Sequence, residues 1–170
     1  MTHDPKLLDY LESLQRATWQ GVVFRYTAGG RPPQRENTMG ARWNPRGVPA
    51  IYTTLERETA IAELRHHIEA LSPRPTRLNF KLYRIRVSVD RVVDLSSEEE
   101  LGRAGLTLDH LHGDDFSACQ RLGAAAHWLS TGALLVPSAR RAGARNLVIF
   151  SDRQQPDHEF EVLDDEPLKL

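Results

Sequence analysis

Between Met39 and Leu64 the chain reads MGARWNPRGVPAIYTTLERETAIAEL, a stretch dense in side chains that a protein core avoids. Arg42 stands beside Trp43 and Asn44 and between Gly40 and Gly47; Tyr52 follows in a short apolar run, and Glu63 comes later in the same segment. Only Lys6, Lys81 and Lys169 are lysines, so nearly all the cations are arginines, and these bunch at Arg31, Arg35, Arg42 and Arg46 and again at Arg140, Arg141 and Arg145. The planar fork of arginine suits bidentate contact with phosphate oxygens, which points to a small phosphorylated ligand in preference to a nucleic-acid backbone. A solvated surface position is the alternative for any single one of these arginines.

Those side chains need elements to hold them. Val48 to Thr53 reads as a short strand carrying Tyr52, and Thr53 with Glu56 has capping-box spacing for a helix reaching about Leu71. Ile61, Leu64, Ile68 and Leu71 form the buried stripe of that helix. A turn of about 100° per residue puts Glu63 on the flank of the stripe, at the margin between core and cleft. Ala28 to Gly47, with its glycines, Pro32-Pro33 and four arginines, lacks periodicity and reads as a long functional loop.

Upstream, Leu7, Leu8, Leu11 and Leu14 predict an amphipathic helix over about 5–16, and GVVFRYT from Gly21 to Thr27 predicts a strand. Arg25, inside that strand, either snorkels at an edge or points into a cleft toward an anion. Downstream, RLNFKLYRIRVSV from Arg77 to Val89 alternates with a change of phase near Tyr83, as a half-buried antiparallel strand with a bulge does. Arg91 to Leu95 reads as a second strand or a turn. Ser96 or Ser97 opens a short acidic helix, and a helix spans Phe116 to Ser130 with Asp114 or Asp115 as its cap. Gly132 to Pro137, Asn146 to Phe150 and His158 to Leu163 are further strands, and the tail from Asp164 to Pro167 reads as frayed. The sum is an α+β single domain over residues 1–170, mostly antiparallel sheets flanked by helices, with its core over about 21–163.

Several chemistries are disfavoured. The donors His110, His112, Asp114 and Asp115 suggest a metal, yet no second cluster of fixed spacing completes a site, so helix capping is the plainer reading of that loop. Cys119 falls on the inward face of its helix as a small hydrophobe, and alone it forms no internal disulfide. Ser138, directly after a strand, is a turn former or a ligand contact; no nucleophile elbow surrounds it. A net charge of −1 gives no global field for nucleic acid, no segment reaches the roughly 18 apolar residues of a membrane span, and the acidic N-terminus lacks signal-peptide character. A cytoplasmic chain without direct DNA binding or membrane contact is the expectation.

The ordered motifs Gly40-x-Arg42-Trp43-Asn44-x-x-Gly47, Ala50-Ile51-Tyr52, Thr59-Ala60-x-x-Glu63, Leu134-Leu135-Val136-Pro137-Ser138 and Asn146-Leu147 together resemble the RES-domain family, named for an Arg, a Glu and a Ser. Gly113-Asp114-Asp115-Phe116-Ser117-x-Cys119-Gln120 adds to the likeness, which covers about Gly21 to Val162. The resemblance implies an ADP-ribosyltransferase-like fold and a bacterial toxin of a type II toxin–antitoxin pair. It further implies cleavage of NAD⁺, the substrate, at the nicotinamide–ribose bond by hydrolysis or phosphorolysis, without a metal. Transfer of ADP-ribose to a protein acceptor is an alternative within the same chemistry, and a non-catalytic nucleotide- or partner-binding module is an alternative of another class. The implied partner is an Xre-like helix-turn-helix antitoxin that occludes the site.

On the same likeness Arg42, Tyr52, Glu63 and Ser138 are the catalytic residues. Arg25, Arg42, Asn44, Tyr52, Ser138 and Asn146 are those that hold the dinucleotide: Arg42 and Arg25 at the pyrophosphate, Tyr52 stacked on nicotinamide or ribose, Ser138 and Asn146 at ribose or amide.

Overall fold

A computed structural model describes residues 2–74 and 76–169. Its elements in chain order are α1 (Pro5–Ser13), β1 (Arg16–Ala28), β2 (Ala50–Thr54), α2 (Arg57–Glu69), β3 (Phe80–Asp94), α3 (Glu98–Arg103), α4 (Leu108–His112), α5 (Ser117–Trp128), β4 (Ala133–Pro137), β5 (Arg145–Phe150), a 3₁₀ turn (Ser151–Arg153) and β6 (Glu159–Leu168). The strands form one sheet in the order β1-β2-β5-β4-β3-β6, in which β1 also pairs with β3. That second pairing bends the sheet onto itself, so β2-β5-β4 lies across from β1-β3-β6. All the pairings are antiparallel except β3 with β4. The α+β class and the mostly antiparallel arrangement agree with the sequence reading.

Strand alternation explains how the middle layer is buried on both faces. Ile51, Ala133, Leu135, Leu147 and Ile149 point inward, toward Val23, Ile85, Val87 and Val89 of the opposite layer. Their neighbours Ala50, Leu134, Val136, Val148 and Phe150 point outward and pack under α1, α3, α4 and α5. Helix α2 is set apart: Ala60, Leu64 and Ile68 pack with Leu82 and Leu168.

Several boundaries differ from expectation for reasons of long-range pairing. Helix α1 stops at Ser13 because the chain from Arg16 is taken into a strand, opposite Val93 to Ser88, with a bulge between Ala17 and Trp19. The Thr53–Glu56 capping box does not form: the Thr53 hydroxyl donates to the Leu147 carbonyl at 2.8 Å, and α2 begins after Glu56 without a side-chain cap. Arg91 to Asp94 continues β3 instead of starting a new strand, and the bulge near Tyr83 falls between Arg84 and Ile85 against β6. The tail is not frayed. Asp164, Asp165 and Glu166 meet Arg84, Lys81 and Arg57, which carries β6 to the buried Leu168. Helix α5 is shorter than expected and the aspartate cap does not form: Phe116 is the N-cap, without a side-chain cap bond, and Asp115 before it accepts from the Ser117 amide at 2.9 Å.

Candidate active site

Glu63 sits on α2 one position before the buried Leu64, so its carboxylate leaves the apolar stripe at the cavity wall. Oε1 accepts the Asn146 amide, Nδ2, at 2.6 Å and the Ser138 hydroxyl at 3.2 Å. The same Ser138 oxygen accepts the backbone amides of Arg140 and Arg141 at 3.2 and 3.3 Å, folding the β4–β5 loop around it. Three separate elements, α2, β5 and the β4–β5 loop, thus fix one carboxylate oxygen. Burial raises the Glu63 pKa above the ordinary carboxylate value; the hydrogen bonds from Asn146 and Ser138 and the nearby charges of Arg140 and Arg42 pull it back down.

The cavity encloses about 590 Å³, within the roughly 300–1,000 Å³ usual for small-molecule sites. Arg25, Arg42, Tyr52, Glu63 and Asn146 all line it. Ser138 lies just behind, 4 % exposed, and reaches the site through its bond to Glu63. Asn44 is a correction. It is completely buried and is not among the cavity's lining residues, so its place is behind Tyr52. Its amide donates to the carbonyls of Val48 and Asn37 at 2.7 and 3.1 Å, and its Oδ1 accepts the Tyr52 hydroxyl at 2.6 Å.

Tyr52 Oη also accepts the Trp43 amide at 2.9 Å, so its hydroxyl ties β2 to the Trp43–Asn44 turn while its ring faces the cavity. Burial raises the Tyr52 pKa, which keeps that hydroxyl a donor. The turn itself is pressed onto α5. Gln120 donates to the Ala41 carbonyl at 2.8 Å, and a Cβ on Gly123 would lie 1.7 Å from the Trp43 oxygen. Only a residue without a side chain lets the helix come so near.

The two predicted phosphate-binding arginines behave differently. Arg42 lies with its guanidinium carbon 4.4 Å from the Phe116 ring centre, and Nη1 donates to the carbonyls of His110 and Gly113 at 3.2 and 3.0 Å. The guanidinium also lies within reach of the Cys119 thiol, and the residue lines the cavity. Arg25 has both terminal nitrogens committed, to the Tyr52 carbonyl at 2.8 Å and the Arg35 carbonyl at 2.9 Å, so it braces the long loop against β2. Desolvation lowers the pKa of both, yet guanidinium remains charged in proteins. In the donor loop, His110 closes a capping box with Thr107, which gives that histidine a local structural task.

Among the lining residues that the sequence reading did not assign to the site are Phe24, Tyr26, His66, His67, Phe116 and Arg140. Tyr26 is pushed up to about 12 by burial and by the Glu63 charge. Arg140 was visible only as one of three clustered arginines. Of those, Arg141 is held by Glu56 and by the Thr59 hydroxyl, and Arg145 is exposed.

Fold and site together define a class: a mixed-sheet domain whose arginine-lined cavity holds one carboxylate pinned by a serine and an asparagine. Residues 13–170 match the RES domain, and the chain belongs to that family. It is 29% identical over 159 residues to the NAD(+) phosphorylase MbcT of Mycobacterium tuberculosis strain H37Rv, covering 89% of this chain and 84% of the relative; the protein of the same name from Mycobacterium bovis is equally similar. In three dimensions it superposes with a TM-score of 0.84 and 26% identity on a chain of the M. tuberculosis MbcT-MbcA toxin-antitoxin complex, covering 97% of this chain and 93% of that one.

Proposed function

We propose that this chain is the toxin of a toxin–antitoxin pair and breaks the nicotinamide–ribose bond of NAD⁺, passing the ADP-ribosyl group to phosphate or water. It acts in the cytoplasm, and an Xre-like helix-turn-helix antitoxin silences it by covering the cavity. The observation that carries this reading is the Glu63 carboxylate, held by Asn146 and Ser138 in a cavity that also presents arginine cations. The relatives named as NAD(+) phosphorylase support the substrate, and the superposition on a toxin–antitoxin complex supports a proteinaceous inhibitor.

Nicotinamide leaves as a neutral molecule with the bonding electron pair, so positive charge grows on the ribose toward an oxocarbenium-like transition state. A carboxylate about 4 Å from that charge, at an effective dielectric near 20, contributes roughly 4 kcal/mol, close to a thousandfold in rate. Because Glu63 is already oriented by its two donors, little reorganisation accompanies the reaction. The Arg42 guanidinium suits the pyrophosphate, and Tyr52 offers an aromatic face to the nicotinamide half. No covalent enzyme intermediate is needed, since the substrate brings its own leaving group.

The test is direct. Purified chain free of antitoxin is incubated with NAD⁺, with and without inorganic phosphate; nicotinamide release is followed and products are weighed by mass spectrometry. ADP-ribose or its 1″-phosphate is the expected product. A folded chain that releases no nicotinamide under either condition contradicts the proposal, and label from the adenylate half on a polypeptide moves the activity to protein modification.

A further inference from the structure

Resting on the NAD⁺-cleaving reading, we infer that Arg140 is the residue that binds the acceptor phosphate and so sets the choice between phosphate and water. Three arginines line the cavity, and their engagements differ. Arg25 gives both terminal nitrogens to backbone carbonyls, and Arg42 gives one while stacking on Phe116. The Arg140 guanidinium has no hydrogen bond or ion pair to any described residue. It is also half-buried, so the cation faces the cavity without protein partners and without full hydration.

Its position is imposed and not incidental. The backbone amide of Arg140 donates to the Ser138 hydroxyl, which donates in turn to Glu63, so one short chain of hydrogen bonds links the loop carrying the cation to the carboxylate. Arg140 acts electrostatically on both Glu63 and Arg42 and lines the same cavity as the group that would face the ribose and the group suited to the pyrophosphate. Both cations act on the one Glu63 carboxylate, whose single charge compensates only one of them. Three arginines against Glu63 and Asp114 leave the cavity one positive charge in excess, although the whole chain carries −1. A dinucleotide held by Arg42 still leaves Arg140 for a second anion.

Phosphate fits the step that follows. In HPO₄²⁻ the attacking oxygen is already deprotonated: it forms the C1″–O bond as the C1″–N bond breaks and nicotinamide takes the electron pair. The products are nicotinamide and ADP-ribose 1″-phosphate, with the remaining phosphate proton still on the phosphate. Water, by contrast, must lose a proton to a base beside the very carboxylate that faces the ribose. A guanidinium that orients one phosphate edge leaves another oxygen to attack.

Kinetics of the parent, Arg140→Gln and Arg140→Lys chains decide the matter, with phosphate and NAD⁺ varied independently and the ratio of ADP-ribose 1″-phosphate to ADP-ribose measured. In Arg140→Gln the KM for phosphate rises on the order of tenfold or more, as expected for one lost charge-assisted interaction, and exceeds any change in the KM for NAD⁺. The product ratio shifts toward ADP-ribose, and Arg140→Lys lies between. An unchanged phosphate KM and product ratio overturns the inference, as does a rise confined to NAD⁺, which would give Arg140 to the dinucleotide. A parent that releases nicotinamide without regard to phosphate removes the inference and leaves NAD⁺ cleavage standing. A parent that releases none removes both.

Discussion

Asn146 on β5 places its amide nitrogen 2.6 Å from Glu63 Oε1, while its own Oδ1 is buried without a hydrogen-bond partner among the described residues. The side chain therefore has one half anchored to the carboxylate and the other unsatisfied. An unsatisfied buried acceptor costs about 1–3 kcal/mol, which nature retains where a function requires it. In Asn146→Ala the carboxylate loses the strongest of the interactions that hold its pKa down, so the acid limb of kcat/KM moves to higher pH and the rate at neutral pH falls. A pH–rate profile checks this. In the parent itself the limb lies above the ordinary carboxylate range, because burial dominates.

Glu63→Gln separates chemistry from stability. The rate of nicotinamide release falls by about a thousandfold, the worth of the carboxylate at the developing cation. Stability moves the other way. A carboxyl whose folded pKa is raised contributes stability below its unfolded value and loses it as pH rises through the folded value, so ionised Glu63 destabilises the fold at neutral pH. Glutamine keeps an acceptor for Asn146 and Ser138 without the charge. Thermal melts from about pH 4 to 8 therefore show the parent losing ground to the variant as pH rises.

Tyr52→Phe tests whether the hydroxyl works on the turn. Its removal leaves Asn44 Oδ1 without its donor and the Trp43 amide without its acceptor, and both residues are buried. The expected loss is about 2 kcal/mol or more, read as a lower urea midpoint at unchanged m-value. Because the turn carries Arg42, the KM for NAD⁺ rises as well.

Residue type made part of this site legible and geometry hid the rest. Arg42, Tyr52, Glu63 and Asn146 converge on one cavity; Tyr52, Glu63 and Asn146 each interrupt an apolar strand or helix, and Arg42 stands in a turn flanked by glycines. Asn44 and Arg25 occur in equally suggestive positions, but the hydrogen bonds their side chains donate go to main-chain carbonyls, and a carbonyl looks the same in every sequence. Strand ends at Arg16, Asp94 and Leu168 were misplaced for a related reason: pairing with residues far away in the chain decided them, over local propensity. The charged tail looked unstructured because its complement lies on the neighbouring strand and not beside it in sequence.

Gly123→Ala reaches the site from the opposite side of the Trp43 turn. At Gly123 helix α5 approaches the Trp43 carbonyl so closely that an added methyl would stand 1.7 Å from its oxygen. Either α5 or the turn must retreat, and overpacking of this kind costs typically about 1–3 kcal/mol. If the helix yields, stability alone suffers. If the turn yields, Trp43 leaves its pocket, the Gln120 bond to Ala41 breaks, and Arg42 shifts from the His110 and Gly113 carbonyls. The turn is expected to yield first, since it is irregular backbone held by side-chain hydrogen bonds while α5 is a regular helix packed along most of its length. The expected result is a folded chain with a lowered Tm whose KM for NAD⁺ rises more than its kcat falls, measured by calorimetry and steady-state kinetics. A lowered Tm with both kinetic constants unchanged would show that the helix moves instead and that the turn is rigid.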